Sequence, residues 1–167
     1  MPHALFEYSL ERLDNLEGIE VALPRFDSAV AWIIGLHAYE LSQTYEKPIL
    51  IDITLPNGQV LFHSPSKNGA VLDNDFWINR KKKTTLRFGK SSFYMGRKVA
   101  IKKMSVEAAL FVDPKEYATH GGSVPIRILG SDFVCGALTV SGLAQEDDHL
   151  FALQVLKDIK ARLESKV

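Results

Sequence analysis

Thiol chemistry is almost missing from this chain, since Cys135 is its lone cysteine among 167 residues. An internal disulfide is thereby excluded, and no paired Cys or clustered His suggests a zinc site, so no metal is expected. The apolar neighbours of Cys135 predict a core thiol rather than a reactive one. Net charge is missing too: 20 Lys and Arg balance 20 Asp and Glu. That balance removes any global pull toward nucleic acid or an anionic membrane. No apolar run approaches the about 18 residues of a membrane span. The opening MPHALFEYSL has no basic head followed by an apolar stretch, so no signal peptide is expected and the cytoplasm is the expected compartment. Repeats, low-complexity tracts and linkers are missing as well, and residues 1–167 read as one domain.

Motif-level enzyme chemistry is also missing. There is no GxxxxGK phosphate loop, no GxGxxG opening a helix after a strand, no HExxH and no GxSxG nucleophile elbow. Catalysis by dispersed residues is not excluded by this, but nothing positive argues for it.

What is present is a strong β module over residues 120–143. Val124-Pro125-Ile126-Arg127-Ile128 leads into a Gly130-Ser131-Asp132 break, and an apolar run from Phe133 to Val140 returns. Two β-rich runs around a short Gly/Ser/Asp break predict a hairpin. The second run is apolar on both sides, which predicts an inner strand covered on both faces. Further strands are expected at 19–23, 49–55 and 59–63, beside 124–129 and 133–140. Asn57-Gly58 is a hairpin signal; a two-residue loop there sets Leu55 opposite Val60, Ile53 opposite Phe62 and Asp52 opposite His63.

Helices are expected at 4–16, at 27–46 with Asp27 as cap, at 76–90, briefly near 105–111 and 113–120, and from Glu146 onward. Residues 91–100 read as a break, with Gly96 as a stop. Gly35 inside the second helix costs roughly 1 kcal/mol against Ala, which predicts close approach by another element or a ligand.

Several side chains are candidates for chemistry. Lys81 shares a helix face with Trp77 and Phe88, so its charge is expected to point into a pocket for an anion or carboxylate. The rest of the run Arg80-Lys81-Lys82-Lys83 points in different directions and makes no single basic stripe. His120 precedes Gly121 and Gly122, glycines that either let backbone amides approach a ligand or serve a tight turn. His37 lies on the apolar stripe of its helix, either a satisfied core residue or a ligand. Asp52 opposite His63 is either a structural hydrogen bond or an acid/base pair.

The set His120-Gly121-Gly122, Pro125-Ile126, Gly136, Val140-Ser141-Gly142-Leu143 and Asp147-Asp148-His149 resembles the signature of the haem-degrading-domain superfamily (GlcG/HbpS-like). Trp77, Arg80-Lys81, Phe88 and Ser91-Ser92 are similar to its uncharacterised (UPF) branch. The likeness runs over residues 27–163. It implies a profilin-like α+β fold, a five-stranded antiparallel sheet with helices on both faces, and assembly as a homo-oligomer, a dimer or larger ring. It also implies haem or a related tetrapyrrole as a candidate ligand, which needs an axial donor such as His in an apolar slot.

Three functions are therefore weighed. The first is a cytoplasmic, homo-oligomeric small-molecule-binding protein for haem or another anionic aromatic compound, with Lys81, His120, Gly121, Gly122 and His37 at the site. The second is an enzyme acting on a small metabolite through Asp52–His63 or Lys81–His120. The third is an oligomeric protein-interaction scaffold, which predicts a large exposed apolar patch and no enclosed pocket.

Overall fold

The computed structural model describes residues 3–165. Four strands, β1 (Leu50–Thr54), β2 (Val60–Pro65), β3 (Ser123–Arg127) and β4 (Val134–Ser141), form one antiparallel sheet in the order β2-β1-β4-β3. A 3₁₀ turn at Ala4–Glu7 precedes α1 (Leu10–Leu16) and α2 (Ser28–Ser42). The remaining helices are α3 (Leu72–Phe88), α4 (Ser92–Lys102), α5 (Val106–Leu110) and α6 (Gln145–Glu164). The architecture is α+β.

The sheet has four strands, not the five expected. Residues 19–23 do not pair as a strand. The amides of Val21 and Ala22 both return to the Gly18 carbonyl, which makes a turn and leaves Ile19 exposed. Only Leu23 reaches the sheet, as a single parallel bridge to Ile128: its N–H donates to Arg127 O and its carbonyl accepts from Leu129 N, both at 2.8 Å. Pro24 follows and has no N–H with which to extend the ladder.

The two faces of the sheet differ chemically. Ile51, Ile53, Val124, Ile126, Leu138 and Val140 pack against α2 and α6 in the main core, with Val30 and Ile34 from one helix and Val155, Leu156 and Ile159 from the other. Burying each such aliphatic side chain is worth about 1.5–3 kcal/mol. The opposite face lies under α3 and is polar. There the register places Ser123, Thr139, Asp52 and His63 side by side across all four strands. Such a row survives burial only if its members satisfy one another, and they do. Ser123 Oγ and Thr139 Oγ1 are 2.9 Å apart, Thr54 Oγ1 donates to Asp52 at 2.6 Å, and His63 Nδ1 lies 2.8 Å from Asp52 Oδ2.

The β1–β2 hairpin keeps Ile53 opposite Phe62 and Asp52 opposite His63, but Thr54, not Leu55, faces Val60. Leu55 N–H closes instead on Gln59 O, so the loop is longer than two residues and a bulge absorbs the extra one.

Residues 92–102 are helical where a break was expected. Ser91 caps the helix by accepting from Tyr94 N–H, and Phe93, Met95 and Val99 anchor it. Gly96 sits inside this helix because a Cβ there would lie 2.2 Å from Thr119 O. Beyond Asp113 only one turn forms, its carbonyl taking the amides of Glu116 and Tyr117, before Ala118 N–H turns away to Arg80 O.

Candidate small-molecule site

Where β4 ends, the chain turns through Ser141 and Gly142 into α6. That turn, the first half of α3 and the loop bearing His120 enclose a cavity of about 250 Å³, lined by Trp77, Lys81, His120, Ser141, Gly142 and Asp148 among others. Lys81 reaches it because α3 lies across the polar sheet face. Asp148 reaches it because it stands in the first turn of α6, where a carboxylate suits the unpaired amides.

Lys81 and Asp148 form a buried pair. Lys81 Nζ donates to Val140 O at 2.9 Å and to Asp148 Oδ2 at 3.1 Å, while Asp148 Oδ1 accepts from Leu143 N–H at 3.1 Å. Burial pushes both toward their neutral forms. The Lys81 ammonium is held below its usual value, with Asp148 opposing the fall. The Asp148 carboxyl is pushed up to about 6, with Lys81 and the Leu143 and Gly142 amides opposing the rise.

His120 stands at the rim. Its ring meets Trp77 edge-on at 4.9 Å, and the Arg80 guanidinium lies 4.6 Å from the centre of the same indole. Desolvation, then the positive charges of Lys81 and Arg80, hold His120 below the usual imidazole value. It makes no hydrogen bond among the described residues, and it lines the cavity.

The other expected site residues fall elsewhere. Gly121 and Gly122 adjoin the cavity without lining it. Gly121 donates its N–H to Gln145 Oε1 at 3.0 Å. Gly122 has φ of 135°, and a Cβ there would lie 2.5 Å from Val140 O and 2.6 Å from Lys81 Nζ. This glycine therefore makes room for the Val140 carbonyl and the lysine head. His37 is on α2, paired with Asp158 of α6 at 2.8 Å. Asp52 and His63 do pair, but His63 Nε2 is also taken, 2.7 Å from Asp75 Oδ1, and Lys82 Nζ lies 3.4 Å from both Asp52 oxygens. With a carboxylate at each ring nitrogen, His63 has none free for substrate. Asp148, quoted in the sequence only within the Asp147-Asp148-His149 motif and not among the expected site residues, is the one the structure adds, and its signal was a carboxylate in the first turn of α6 following a glycine turn.

Among the described residues no three His, Cys, Asp or Glu converge on a metal position, and no helix is long and apolar enough to cross a membrane.

Fold and cleft together define an α+β domain whose cleft opens at the end of an inner strand. The chain belongs to the HbpS-like family, described as haem degrading protein HbpS-like, which it matches over residues 26–157. UPF0303 protein YBR137W of Saccharomyces cerevisiae is 58% identical over 111 residues, 66% of this chain and 61% of that protein. The matched segment thus spans less than two thirds of the yeast protein. A crystal structure of the Ybr137w protein is similar with a TM-score of 0.89 and 45% identity, covering 95% of this chain and 93% of that one. A crystal structure of a PduOC:heme complex shares the fold, with a TM-score of 0.66 at 18% identity over 80% of this chain and 94% of that one.

Proposed function

We propose that this protein is a cytoplasmic, homo-oligomeric binder of a small anionic aromatic molecule, with haem or a related tetrapyrrole as the leading candidate and His120 as the iron donor. The observation that carries this reading is His120 itself, an imidazole without a hydrogen bond among the described residues, flanked by Trp77, lining one cavity with Lys81 and Asp148 and held below its usual pKa by burial and nearby cations. Iron requires an unprotonated nitrogen, and an aromatic flank suits a flat ring. The heme complex of PduOC supports the ligand class.

The cavity of about 250 Å³ is smaller than the roughly 300–1,000 Å³ of clefts that enclose a drug-sized ligand. It takes the edge of a macrocycle, not the whole. The remainder is left to solvent or to a second copy of the chain, which favours an oligomer.

Hemin titration tests the reading. A saturable Soret shift at micromolar hemin, lost in His120→Ala and kept in His37→Ala, is the expected result. A flat titration of the native protein removes haem as the ligand, and light scattering of the same sample checks the oligomer.

A further inference from the structure

A second cavity, of about 200 Å³, shares His120 and Gln145 with the first. Its remaining wall is built from Phe6 of the N-terminal 3₁₀ turn, Phe93 and Arg97 of α4, and Thr119. Nothing in the haem reading uses it.

The chemistry of this wall is one-sided. The first cavity contains the carboxylates of Asp73 and Asp148. The second contains no Asp or Glu at all. Its charged residue is Arg97, and the polar residues beside it are Thr119, His120 and Gln145. Gln145 Oε1 is already committed to Gly121 N–H, so its NH₂ is what remains to offer. The cavity thus presents donors and lacks a matching anion.

Arg97 makes this a built feature rather than a surface accident. It forms no ion pair and no hydrogen bond with any described residue, and its Nε is buried without a partner. A desolvated donor left unpaired costs about 1–3 kcal/mol, and native folds keep few of them. Its guanidinium carbon lies 6.0 Å from the ring centre of Phe6. Phe6 in turn packs against Phe93 at 5.2 Å, so two tilted rings form an apolar wall beside the unpaired cation. Gly96 brings Thr119 against the same helix, since any Cβ there would strike the Thr119 carbonyl.

We propose that this second cavity binds a compact aromatic carboxylate, its ring against Phe6 and Phe93 and its carboxylate on Arg97. A guanidinium pairs with a carboxylate through two parallel N–H donors, which is the geometry an uncommitted arginine supplies. A volume of about 200 Å³ suits a single ring. The same carboxylate-on-aromatic chemistry is carried by a free aryl acid and by the edge of a tetrapyrrole, so the test separates them.

Benzoate is the probe, with benzamide as its neutral counterpart, read by saturation-transfer NMR and calorimetry on the full chain. Saturable benzoate binding at millimolar concentration or tighter is expected, with benzamide at least about tenfold weaker. Arg97→Gln should weaken benzoate by about tenfold or more. Ala100→Trp, placed on an exposed position of the cavity wall, should abolish binding by filling the space, and it serves if the Arg97 variant does not fold. Absence of benzoate binding to the native chain overturns the proposal, as does binding that neither substitution changes. Competition with hemin assigns the source: benzoate displaced by hemin means that the tetrapyrrole edge occupies the cavity, and independent binding means a separate aryl acid. A flat hemin titration with benzoate binding retained removes only the haem reading.

Discussion

Lys81 Nζ lies 3.1 Å from Asp148 Oδ2, with the two side chains only 4% and 2% exposed. The pair ties α3 to the start of α6 across 67 residues of sequence, and Val140 O completes the lysine's shell. Removing one member strands the other. Lys81→Met is expected to destabilise the fold by about 3–5 kcal/mol, because it leaves a buried carboxylate without its cation. The double variant Lys81→Met/Asp148→Asn should lose clearly less than the sum of the single changes. Urea unfolding of the four proteins measures this, and simple additivity would mean that the two groups do not sense each other.

A second buried pair predicts a pH profile. His149 Nε2 is 3.9 Å from Glu17 Oε2, and the imidazole stacks on Phe93 at 4.9 Å with neither ring nitrogen hydrogen-bonded. Burial pushes Glu17 up to about 7 despite the hydrogen bonds from Ser91 N–H and Oγ, and pushes His149 down to about 3. For Glu17 the folded value exceeds the unfolded 4.5. The folded state therefore holds the extra proton, and stability falls as pH rises from about 4.5 through 7. For His149 the folded value is below the unfolded 6.5, so stability falls as pH drops from about 6.5 toward 3. Glu17→Gln removes the first of these slopes. Its stability relative to the native protein should improve between pH 4.5 and pH 8 by up to the order of 3 kcal/mol. Denaturant unfolding at the two pH values is the check, and an unchanged difference would show that burial does not raise Glu17 above its unfolded value.

The polar row under α3 predicts a third outcome. Asp52 accepts from Thr54 at 2.6 Å, and it is approached by His63 at 2.8 Å and by Lys82 at 3.4 Å. Asn at this position turns one acceptor into a donor and sets it against one of these groups. Asp52→Asn should cost about 1–3 kcal/mol, the usual penalty for an unsatisfied buried group. It should also release His63, visible as a changed ring-nitrogen signal in the NMR spectrum. An unaltered His63 signal would mean that Asp75 alone orients the ring.

These pairs also show where sequence reading reaches its limit. Asp52 opposite His63 was legible because Asn57-Gly58 reports a hairpin and the register three pairs in from Leu55–Val60 follows from it. The bulge that moves Val60 opposite Thr54 leaves no mark in composition. Lys81 as an inward charge was legible from its place between Trp77 and Phe88. Its partner was not, because nothing local links a residue on α3 to one at the head of α6. Helix α4 was hidden by Gly96, which reads as a stop until the carbonyl of Thr119 is seen to require it. The fifth strand was read over residues 19–23, and three of these, Val21 to Leu23, are buried. Their burial is real, yet the two amides of Val21 and Ala22 are spent on a turn.

Gly35 offers the most direct test of how tertiary packing overrides local preference. It lies in the middle of α2, where Ala would be favoured by about 1 kcal/mol on helix propensity alone. A Cβ there would lie 2.2 Å from Phe62 Cδ2, 2.4 Å from Cε2 and 2.5 Å from Cγ. Phe62 cannot withdraw freely, since its ring is buried and packs against Trp32 at 5.6 Å, and Cγ is close to its own backbone. Overpacking of this kind costs about 1–3 kcal/mol, which outweighs or cancels the propensity gain. Gly35→Ala is therefore expected to be neutral to destabilising, and Gly35→Ala should be better tolerated once Phe62→Leu has opened the space. Thermal and urea unfolding of the two single variants and their combination resolve the matter. If Gly35→Ala by itself stabilises the protein by the full propensity difference, the Phe62 ring is not what demands a glycine there, and α2 and β2 sit further apart in solution than described.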